Sequence, residues 1–256
     1  MKLVFVGAGR LATNLAKALS EKGHRIVAVY SRTKTSADAL CTVVGGFPTD
    51  SLNFLPVTAD AFIIAVKDDA LPETIDSLRH GREKQTFLHT AGSIPISVFG
   101  CHQHCGVIYP MQTFSKEKQV DFSSVPFFIE ASDAQSLQTA REIALSVSSH
   151  VKELSSDERR YLHLAAVFAC NFSNHCYALA AQILEQHGLR FDVMLPLIAE
   201  TADKVKTIHP REAQTGPAVR YDEHVIEAQK ALLADNPSMQ QIYDIMSKSI
   251  HQLSNS

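Results

Sequence analysis

Met1-Lys-Leu-Val-Phe-Val-Gly-Ala-Gly-Arg-Leu-Ala12 combines an apolar, strand-like run with a glycine turn and the start of a helical pattern. In a nucleotide-binding βαβ unit, Gly7 takes the tight turn, Gly9 leaves room for a phosphate, and Ala12 lets the helix pack closely on the strand. The backbone N–H groups of Arg10, Leu11 and Ala12 would then face the anion, helped by the helix dipole. A purely structural turn is the alternative. A second strand-like run over 25–30 favours dinucleotide binding by Gly7, Ala8, Gly9, Arg10, Leu11 and Ala12.

The composition is that of an ordinary globular protein. Of 256 residues, 45% are hydrophobic and 20% charged, with a net charge of -3. This balance gives no basic surface for nucleic acid, and no apolar run approaches the roughly 20 residues of a membrane span. The N-terminal run lacks a signal cleavage pattern, and the five cysteines are scattered and odd in number. We therefore expect a cytoplasmic chain with reduced thiols and no membrane contact.

The first half of the chain alternates strand-like and helix-like segments, which predicts a doubly wound α/β sheet. Strands are predicted at 3–6, 25–30, 61–66, 86–90, 107–110, 126–131 and 151–154. Helices are predicted after the glycine turn and at 36–44, 69–79 and 134–146, with a short one that begins at Pro95. After Ser155 only helical patterns occur, at 155–188, 192–208, 222–233 and 237–253. The sequence thus predicts a cofactor domain over 1–154 and an all-α domain over 155–256.

The residues after the second predicted strand indicate which nicotinamide cofactor binds. An NAD site usually carries Asp or Glu here to hold the ribose 2′-hydroxyl, but this chain has Ser31-Arg32-Thr33-Lys34. Ser31 and Thr33 can donate hydrogen bonds, while Arg32 and Lys34 can neutralise a 2′-phosphate. The alternative is that both cations are solvated loop charges. The chemistry favours NADP(H).

Six phrases recur in the order seen in one known family. They are Gly7-Ala-Gly-Arg-Leu-Ala12, Ile63-Ile-Ala-Val-Lys-Asp-Asp69, His89-Thr-Ala-Gly-Ser93, Tyr109-Pro-Met-Gln-Thr-Phe114, His163-Leu-Ala-Ala-Val-Phe-Ala-Cys-Asn171 and Thr215-Gly-Pro-Ala-Val-Arg220. The chain resembles, over nearly its whole length, the Rossmann-like NADP oxidoreductases with a helical C-terminal domain of unknown function. These are distant relatives of pyrroline-5-carboxylate reductase and of deazaflavin-dependent NADP reductase. Two positions depart from the family pattern: Tyr109 stands where His is expected, and Tyr221 where Gly is expected.

The resemblance implies a Rossmann domain, a helical domain like the C-terminal domain of 6-phosphogluconate dehydrogenase, and a homodimer. It brings no established substrate. The alanine-rich helical half independently suggests close helix packing and burial by its own domain or by a partner.

Ligands of open α/β sheets bind beyond the carboxyl ends of the strands. Two loops there are expected to border the nicotinamide and its ribose, namely Ala65, Val66 and Lys67, and Thr90, Ala91 and Gly92. Ser93, Tyr109 and Gln112 are polar groups that could reach a substrate. Their alternative roles as turn and cap residues weigh equally.

On the long predicted helix, His163 and Asn171 are candidate catalytic residues together with Ser93. A polar side chain inside an apolar helix needs a partner, which a substrate or another helix could supply. His163 has an equal structural alternative, and Asn171 is favoured because of the resemblance. Hydroxyacid dehydrogenases of this architecture carry Lys four residues before an Asn, but here that residue is Val167.

The segment Thr215-Gly-Pro-Ala-Val-Arg-Tyr-Asp222 is a polar turn between helices. Arg220 is the candidate clamp for a substrate carboxylate or phosphate, Asp222 would orient it, and Thr215 lies beside it. The alternative is that Asp222 caps the next helix and pairs with Arg220. The Cys101-His-Gln-His-Cys105 segment invites a zinc interpretation, but it enters its strand from the end opposite the cofactor, and four ligands within five residues cannot easily surround one ion. We expect no metal.

Together these patterns predict an NADP(H)-dependent oxidoreductase that acts on a small C=O or C=N substrate bound between the two domains. The nicotinamide does the redox chemistry and the protein supplies a proton, with His163, Tyr109 and water all open as its source. The alternative is a regulatory or scaffold protein that binds NADP without turnover.

Overall fold

The computed structural model describes residues 1–115 and 118–255 of the chain. They form two compact units, Met1–Asn171 and Phe172–Ser256. Among the described residues, strands occur only between Lys2 and Glu153, and only helices and turns follow. The change in secondary structure therefore lies near residue 154, whereas the compact units divide inside a long helical segment. The assignment of 1–154 and 155–256 as functional domains stays a prediction.

The first unit is built on one eight-stranded sheet. Its order is β3-β2-β1-β4-β5-β6-β7-β8, and every neighbouring pair is parallel except β6 and β7. The strands are β1 (Lys2–Val6), β2 (Arg25–Tyr30), β3 (Phe47–Thr49), β4 (Ala61–Ile64), β5 (Phe87–His89), β6 (Cys105–Pro110), β7 (Phe127–Ala131) and β8 (Val151–Glu153).

The predicted doubly wound sheet is confirmed, and one strand was missed. The edge strand β3 has only three residues and contains Pro48, so its sequence carries no alternating pattern. It follows Gly46, whose φ is +90° and where a Cβ would stand 2.8 Å from the carbonyl oxygen of Ile26. A glycine turn rather than strand propensity therefore brings β3 against β2.

Helices cover both faces of this sheet, as its buried apolar strands require. They are α1 (Arg10–Glu21), α2 (Lys34–Val44), α3 (Leu71–Arg79) and α4 (Ala134–Val147). One apolar core contains side chains of α1, α2 and α4, and a second contains those of α3. The strands are thus buried between two hydrophobic layers, one on each face of the sheet, and the connecting loops lie at the sheet edges.

The predicted long helical segment is confirmed, since the chain is helical without interruption from Ser156 to Gln186, but the segment is not uniform. Helix α5 (Ser156–Ala166) passes into a π-helical stretch (Val167–Phe172) and then into α6 (Ser173–Gln186). Its start matches the predicted signal, because Ser155 and Glu158 form a capping box. A π-helical turn accommodates one extra residue and often marks a functional region. Apolar periodicity does not reveal such a turn.

The second unit contains the end of this segment and five further helices. They are α7 (Leu195–Lys204), α8 (Pro210–Ala213), α9 (Pro217–Arg220), α10 (Glu223–Ala231) and α11 (Pro237–Ser254). The two four-residue helices, α8 and α9, were missed because each begins at a proline and is too short to show a period. Within the described ranges, no helix is long and apolar enough to cross a membrane.

Tyr221 is the one non-glycine residue with positive φ in the described chain. Its φ and ψ are 52° and 53°, the left-handed conformation, at the end of α9. This explains why the resemblance leads one to expect glycine here, since a Cβ disfavours this conformation by about 1–2 kcal/mol. The Tyr221 ring packs against His251 of α11, with centroids 4.8 Å apart.

His89, the last residue of β5, is fully buried. The backbone N–H of Ala91 donates to its Nδ1 over 3.1 Å, so the proton of the neutral ring lies on Nε2, which faces the Pro95 backbone without a regular hydrogen bond among the described residues. Burial, together with the charge of the nearby Arg159, lowers the pKa of His89 to about 3. The ring therefore stays neutral in the folded protein between about pH 6.5, where a histidine of the unfolded chain becomes protonated, and about pH 3.

We predict an acid-labile fold with His89 as a main cause. Below pH 6.5 the unfolded chain takes up a proton at His89 that the folded chain does not, so stability falls as pH falls toward about 3. At pH 4.5 this loss amounts to roughly 2–3 kcal/mol. His89→Asn keeps an acceptor for Ala91 and should flatten urea-unfolding stability between pH 7 and 4.5 by about that amount. His150→Asn, at an exposed histidine, is the control. Equal slopes in the wild type and His89→Asn would contradict the assignment.

Candidate functional site

A groove of about 240 Å³ lies at the carboxyl ends of β1, β2 and β4. We call it the nucleotide groove. It sits where the strand order reverses direction, the usual ligand position in a doubly wound sheet. Its lining residues are Gly7, Ala8, Gly9, Tyr30, Ser31, Arg32, Thr33, Ala65, Val66, Lys67, Ala70 and Thr74. Most of the cofactor residues predicted from sequence are therefore brought together.

The glycine turn has the shape that a bound pyrophosphate needs. Gly7 has φ +119°, and a Cβ there would stand 2.3 Å from the carbonyl oxygen of Ala65. At Gly9 a Cβ would meet nothing within 4 Å, so the space beside its backbone is open. Thr13 is the first residue of α1 whose N–H bonds back into the helix, to the Gly9 carbonyl. The three preceding N–H groups, of Arg10 to Ala12, lack helical acceptors and lie at the positive end of the dipole.

The loop after β2 provides the cations predicted for a 2′-phosphate. Arg32 is exposed and makes no hydrogen bond or ion pair with the described residues. Lys34 begins α2, and its Nζ lies 3.4 Å from the Pro48 carbonyl and 3.9 Å from Asp38. Ser31 accepts a hydrogen bond from the N–H of Thr33. Arg32 is therefore the less engaged cation.

The loop after β5 packs on the side chains that could do acid–base chemistry. A Cβ at Gly92 would stand 2.5 Å from Nδ1 of His163 and 2.9 Å from Cζ of Tyr109. Only glycine therefore allows the Thr90-Ala91-Gly92 loop, predicted to border the nicotinamide, to lie against this pair. Ser93, the next residue, donates its hydroxyl to Asp68 over 2.6 Å and so joins this loop to the one after β4.

Tyr109 and His163 form a hydrogen-bonded pair. The Tyr109 hydroxyl lies 3.1 Å from His163 Nδ1, although the two residues are 54 positions apart. Burial raises the pKa of Tyr109, and the positive charge of Arg159 opposes this effect. The phenol is therefore protonated at neutral pH and can donate a proton. Both residues are candidates from their sequence positions, but no local pattern indicates their contact.

A second cavity, of about 440 Å³, opens beside this pair. We call it the helix pocket. One wall follows β6 and contains Tyr109, Met111, Gln112 and Thr113; the other is the α5 and π-helical segment, with Leu162, His163, Ala165, Ala166, Ala169, Cys170 and Asn171. The predicted substrate residues Tyr109 and Gln112 and the predicted catalytic residues His163 and Asn171 are thus neighbours. Asn171 is exposed, and its catalytic role stays a prediction.

A buried ion pair holds the helix wall in place. Arg159 is 1% exposed and donates to Glu130 of β7 over 2.5 Å and to the Ile94 carbonyl over 2.7 Å. His163 follows Arg159 by one helical turn on the same face of α5. No sequence signal marks this arginine, because it is one of four consecutive charged residues at the start of the helix, where arginine is normally solvated.

Among the predicted substrate residues of the second unit, Asp222 has a local structural role, as a helix cap. Arg220 is exposed at the end of α9, and Thr215 is exposed before it. Asp222 accepts a hydrogen bond from the Val225 N–H over 3.4 Å and caps α10. Among the described residues Arg220 and Asp222 form no ion pair. The role of Arg220 as a substrate clamp stays a prediction.

The histidines of the Cys101–Cys105 segment bind other groups. His102 hydrogen-bonds the Gln85 carbonyl over 2.8 Å and stacks on Phe87, while His104 lies 3.2 Å from Asp133. Within residues 1–115 and 118–255, no three His, Cys, Asp or Glu side chains are grouped as metal ligands.

Comparison with known protein families gives two matches. A family model described as NADP oxidoreductase, coenzyme F420-dependent, matches residues 2–91. A second, the domain of unknown function DUF2520, matches residues 125–250. No curated protein matches the chain.

Solved structures are similar over the whole length. A Bacteroides fragilis protein classed as an NADP oxidoreductase is 51% identical, with a TM-score of 0.94 over 98% of each chain. A Thermotoga maritima protein is 23% identical, with a TM-score of 0.83 over 99% of this chain and 100% of its own. An imine reductase of Myxococcus stipitatus in complex with NADP⁺ is 17% identical, with a TM-score of 0.69 over 98% and 93%. The last two show a shared fold.

We predict that Gly92→Ala destabilises the first unit through the Tyr109–His163 pair. The added methyl has no room, and overpacking of this kind costs about 1–3 kcal/mol. In a His163→Ala background the two nearest obstructing atoms are gone, so the same change should cost less than half as much. Chemical denaturation of all four proteins measures both costs. An identical cost in the two backgrounds would show that Gly92 is needed for another reason.

Proposed function

Because the chain belongs to the family of NADP oxidoreductases that carry a DUF2520 domain, we propose that it transfers hydride between NADP(H) and a small C=O or C=N compound held in the helix pocket. The observation that carries this proposal is Gly92. The loop after β5 packs directly on Tyr109 and His163, two groups that can move protons, and the Ser93–Asp68 hydrogen bond joins it to the loop after β4, whose residues Ala65 to Lys67 line the groove. Cofactor binding and acid–base chemistry thus adjoin within one unit.

The nucleotide groove fits NADP(H). Its open backbone at Gly9 and the free N–H groups at the start of α1 suit a pyrophosphate. Ser31, Arg32, Thr33 and Lys34 would hold the 2′-phosphate, with Arg32 making the main contact because it has no other partner among the described residues. Bound there, NADPH supplies the hydride, and the remaining task of the protein is to orient the substrate and provide a proton.

We assign the proton to the Tyr109–His163 pair. A C=O or C=N group gains a proton at oxygen or nitrogen when it is reduced, and both side chains line the pocket where such a group would lie. The raised pKa of Tyr109 keeps its proton in place at neutral pH. When the His163 Nδ1–H donates to the Tyr109 oxygen, the phenol O–H is left for the substrate, and a proton taken up from water at Nε2 would let Nδ1–H reprotonate the phenolate.

The first prediction from this proposal concerns cofactor choice. NADPH should bind at least tenfold more tightly than NADH, and Arg32→Ala should weaken NADPH by roughly 1.5–3 kcal/mol, the range of charged hydrogen bonds, while NADH is unchanged. Arg25→Ala is the matched control, since Arg25 is exposed at the opposite end of β2. Calorimetric titration measures all six affinities. Equal binding of NADPH and NADH by the wild type would refute the assignment of the 2′-phosphate site.

The second prediction concerns catalysis. The wild type should oxidise NADPH with at least one member of a panel of cyclic imines, aldehydes and keto acids. Tyr109→Phe or His163→Gln should lower kcat by about 10²–10⁴-fold, the usual contribution of a general acid, with NADPH affinity preserved. Full kcat in both variants would leave water as the proton source. No turnover with any compound, despite NADPH binding, would favour a non-catalytic binding protein.

We further propose that the second unit mediates a homodimer. Large apolar side chains are exposed on its helices, including Leu197 at 62% and Ile245 at 66%. Exposed apolar surface of this extent is typical of interfaces. Sedimentation at micromolar concentration should give a dimer that Leu197→Glu or Ile245→Glu weakens, and a clean monomer of the wild type would contradict the proposal. The likeness of this region to the 6-phosphogluconate dehydrogenase domain stays a prediction.

A further inference from the structure

The helix pocket contains no formal charge. None of its described lining residues is Asp, Glu, Lys or Arg. Five are polar, and the other six are Met111, Leu162, Ala165, Ala166, Ala169 and Cys170. A charged ligand group would lose water here without gaining an opposite charge, which is costly in free energy.

The nearest buried cation does not supply that charge. Arg159 lies behind Tyr109, and its guanidinium is already bound by Glu130, the Ile94 carbonyl and Ser156. The ring of His163 is engaged at Nδ1 by the Tyr109 hydroxyl. The charge of Arg159 is therefore already paired within the protein.

The helix wall is shaped for an apolar body. Ala165, Ala166 and Ala169 present only methyl groups along it, and the volume of about 440 Å³ falls within the range of small-molecule sites. The amide groups of Gln112 and Asn171 line the same cavity and can hydrogen-bond a neutral substituent. A ligand that fits would therefore carry a polar group at the Tyr109–His163 pair, an apolar body along the alanine methyl groups and a neutral substituent at the two amides.

We propose that the helix pocket selects uncharged, largely apolar carbonyl or imine compounds and discriminates against their carboxylated counterparts. This inference rests on the proposed function and names its substrate class. The reacting C=O or C=N group would lie at Tyr109 and His163, with the apolar body along the three alanines. The sequence-based expectation of an anionic substrate, which rests on Arg220, makes the opposite prediction.

Non-reducible analogues test this selection without turnover. The protein loaded with NADPH, whose nicotinamide ring is uncharged, is titrated with the neutral lactam 2-pyrrolidinone and with its carboxylated form, 5-oxopyrrolidine-2-carboxylate, by ligand-observed NMR. We expect the neutral lactam to bind the wild type at least tenfold more tightly. Equal or tighter binding of the carboxylate, or binding of neither compound, would overturn the proposal.

A charge-introducing variant provides the control. Ala169 is exposed on the helix wall, so Ala169→Arg places a cation beside the pocket without burying it, and Ala169→Gln adds similar length without charge. The arginine variant should lower the neutral-over-carboxylate ratio by about tenfold, and the glutamine variant should not. An equal change in both would overturn the proposal.

The same two compounds separate this inference from the proposed function. If the neutral lactam binds selectively but no imine or carbonyl compound is turned over, the proposed oxidoreductase activity fails and the pocket assignment stands. If turnover occurs but carboxylated substrates are preferred by kcat/KM, the activity stands and the pocket assignment fails.

Discussion

The pairing of Arg159 with Glu130 is the constraint on which the candidate site depends. A buried guanidinium is tolerated only when its charge and its N–H groups are matched, and removing one partner of such a pair costs about 3–5 kcal/mol. Arg159 donates from its two terminal nitrogens to Glu130 on β7, the Ile94 carbonyl after β5 and Ser156 in its own helix, and only its Nε lacks a partner among the described residues. The start of α5 is therefore fixed to the sheet at a single point.

That attachment determines what lies next to it. Tyr109 lies on β6, which pairs with β7, and His163 lies one helical turn beyond Arg159. The attachment of Arg159 to β7 therefore fixes the position along the sheet at which the His163 ring contacts the Tyr109 hydroxyl. The charge of Arg159 also acts on both buried neighbours, because it lowers the pKa of His89 and counteracts the burial that raises the pKa of Tyr109. Arg159 thus both positions the helix wall and influences the pKa values of the buried groups at the site.

Sequence patterns predicted the parts of this arrangement that are local. The glycine turn, the helix after it and the cations after β2 are encoded within 34 residues, and backbone sterics alone fix their relative positions. The contact of Tyr109 with His163 joins positions 54 apart, and no local pattern reports it. The same holds for Arg159, which looks like one more surface charge in a helix start. The π-helical turn escaped prediction because it shifts the helix face without changing which residues are apolar.

The two departures from the family pattern have different physical consequences. Tyr221 occupies a left-handed position that favours glycine, and its ring contact with His251 offsets part of that backbone cost, so this departure concerns local stability. Tyr109 replaces an expected histidine at the pocket, but it hydrogen-bonds a histidine from α5. An imidazole therefore remains beside the pocket while the group projecting from the strand becomes a phenol. A phenol whose pKa is raised holds its proton across the physiological range, where an ordinary histidine titrates. In this chain, the substitution therefore makes proton supply from the strand side less dependent on pH.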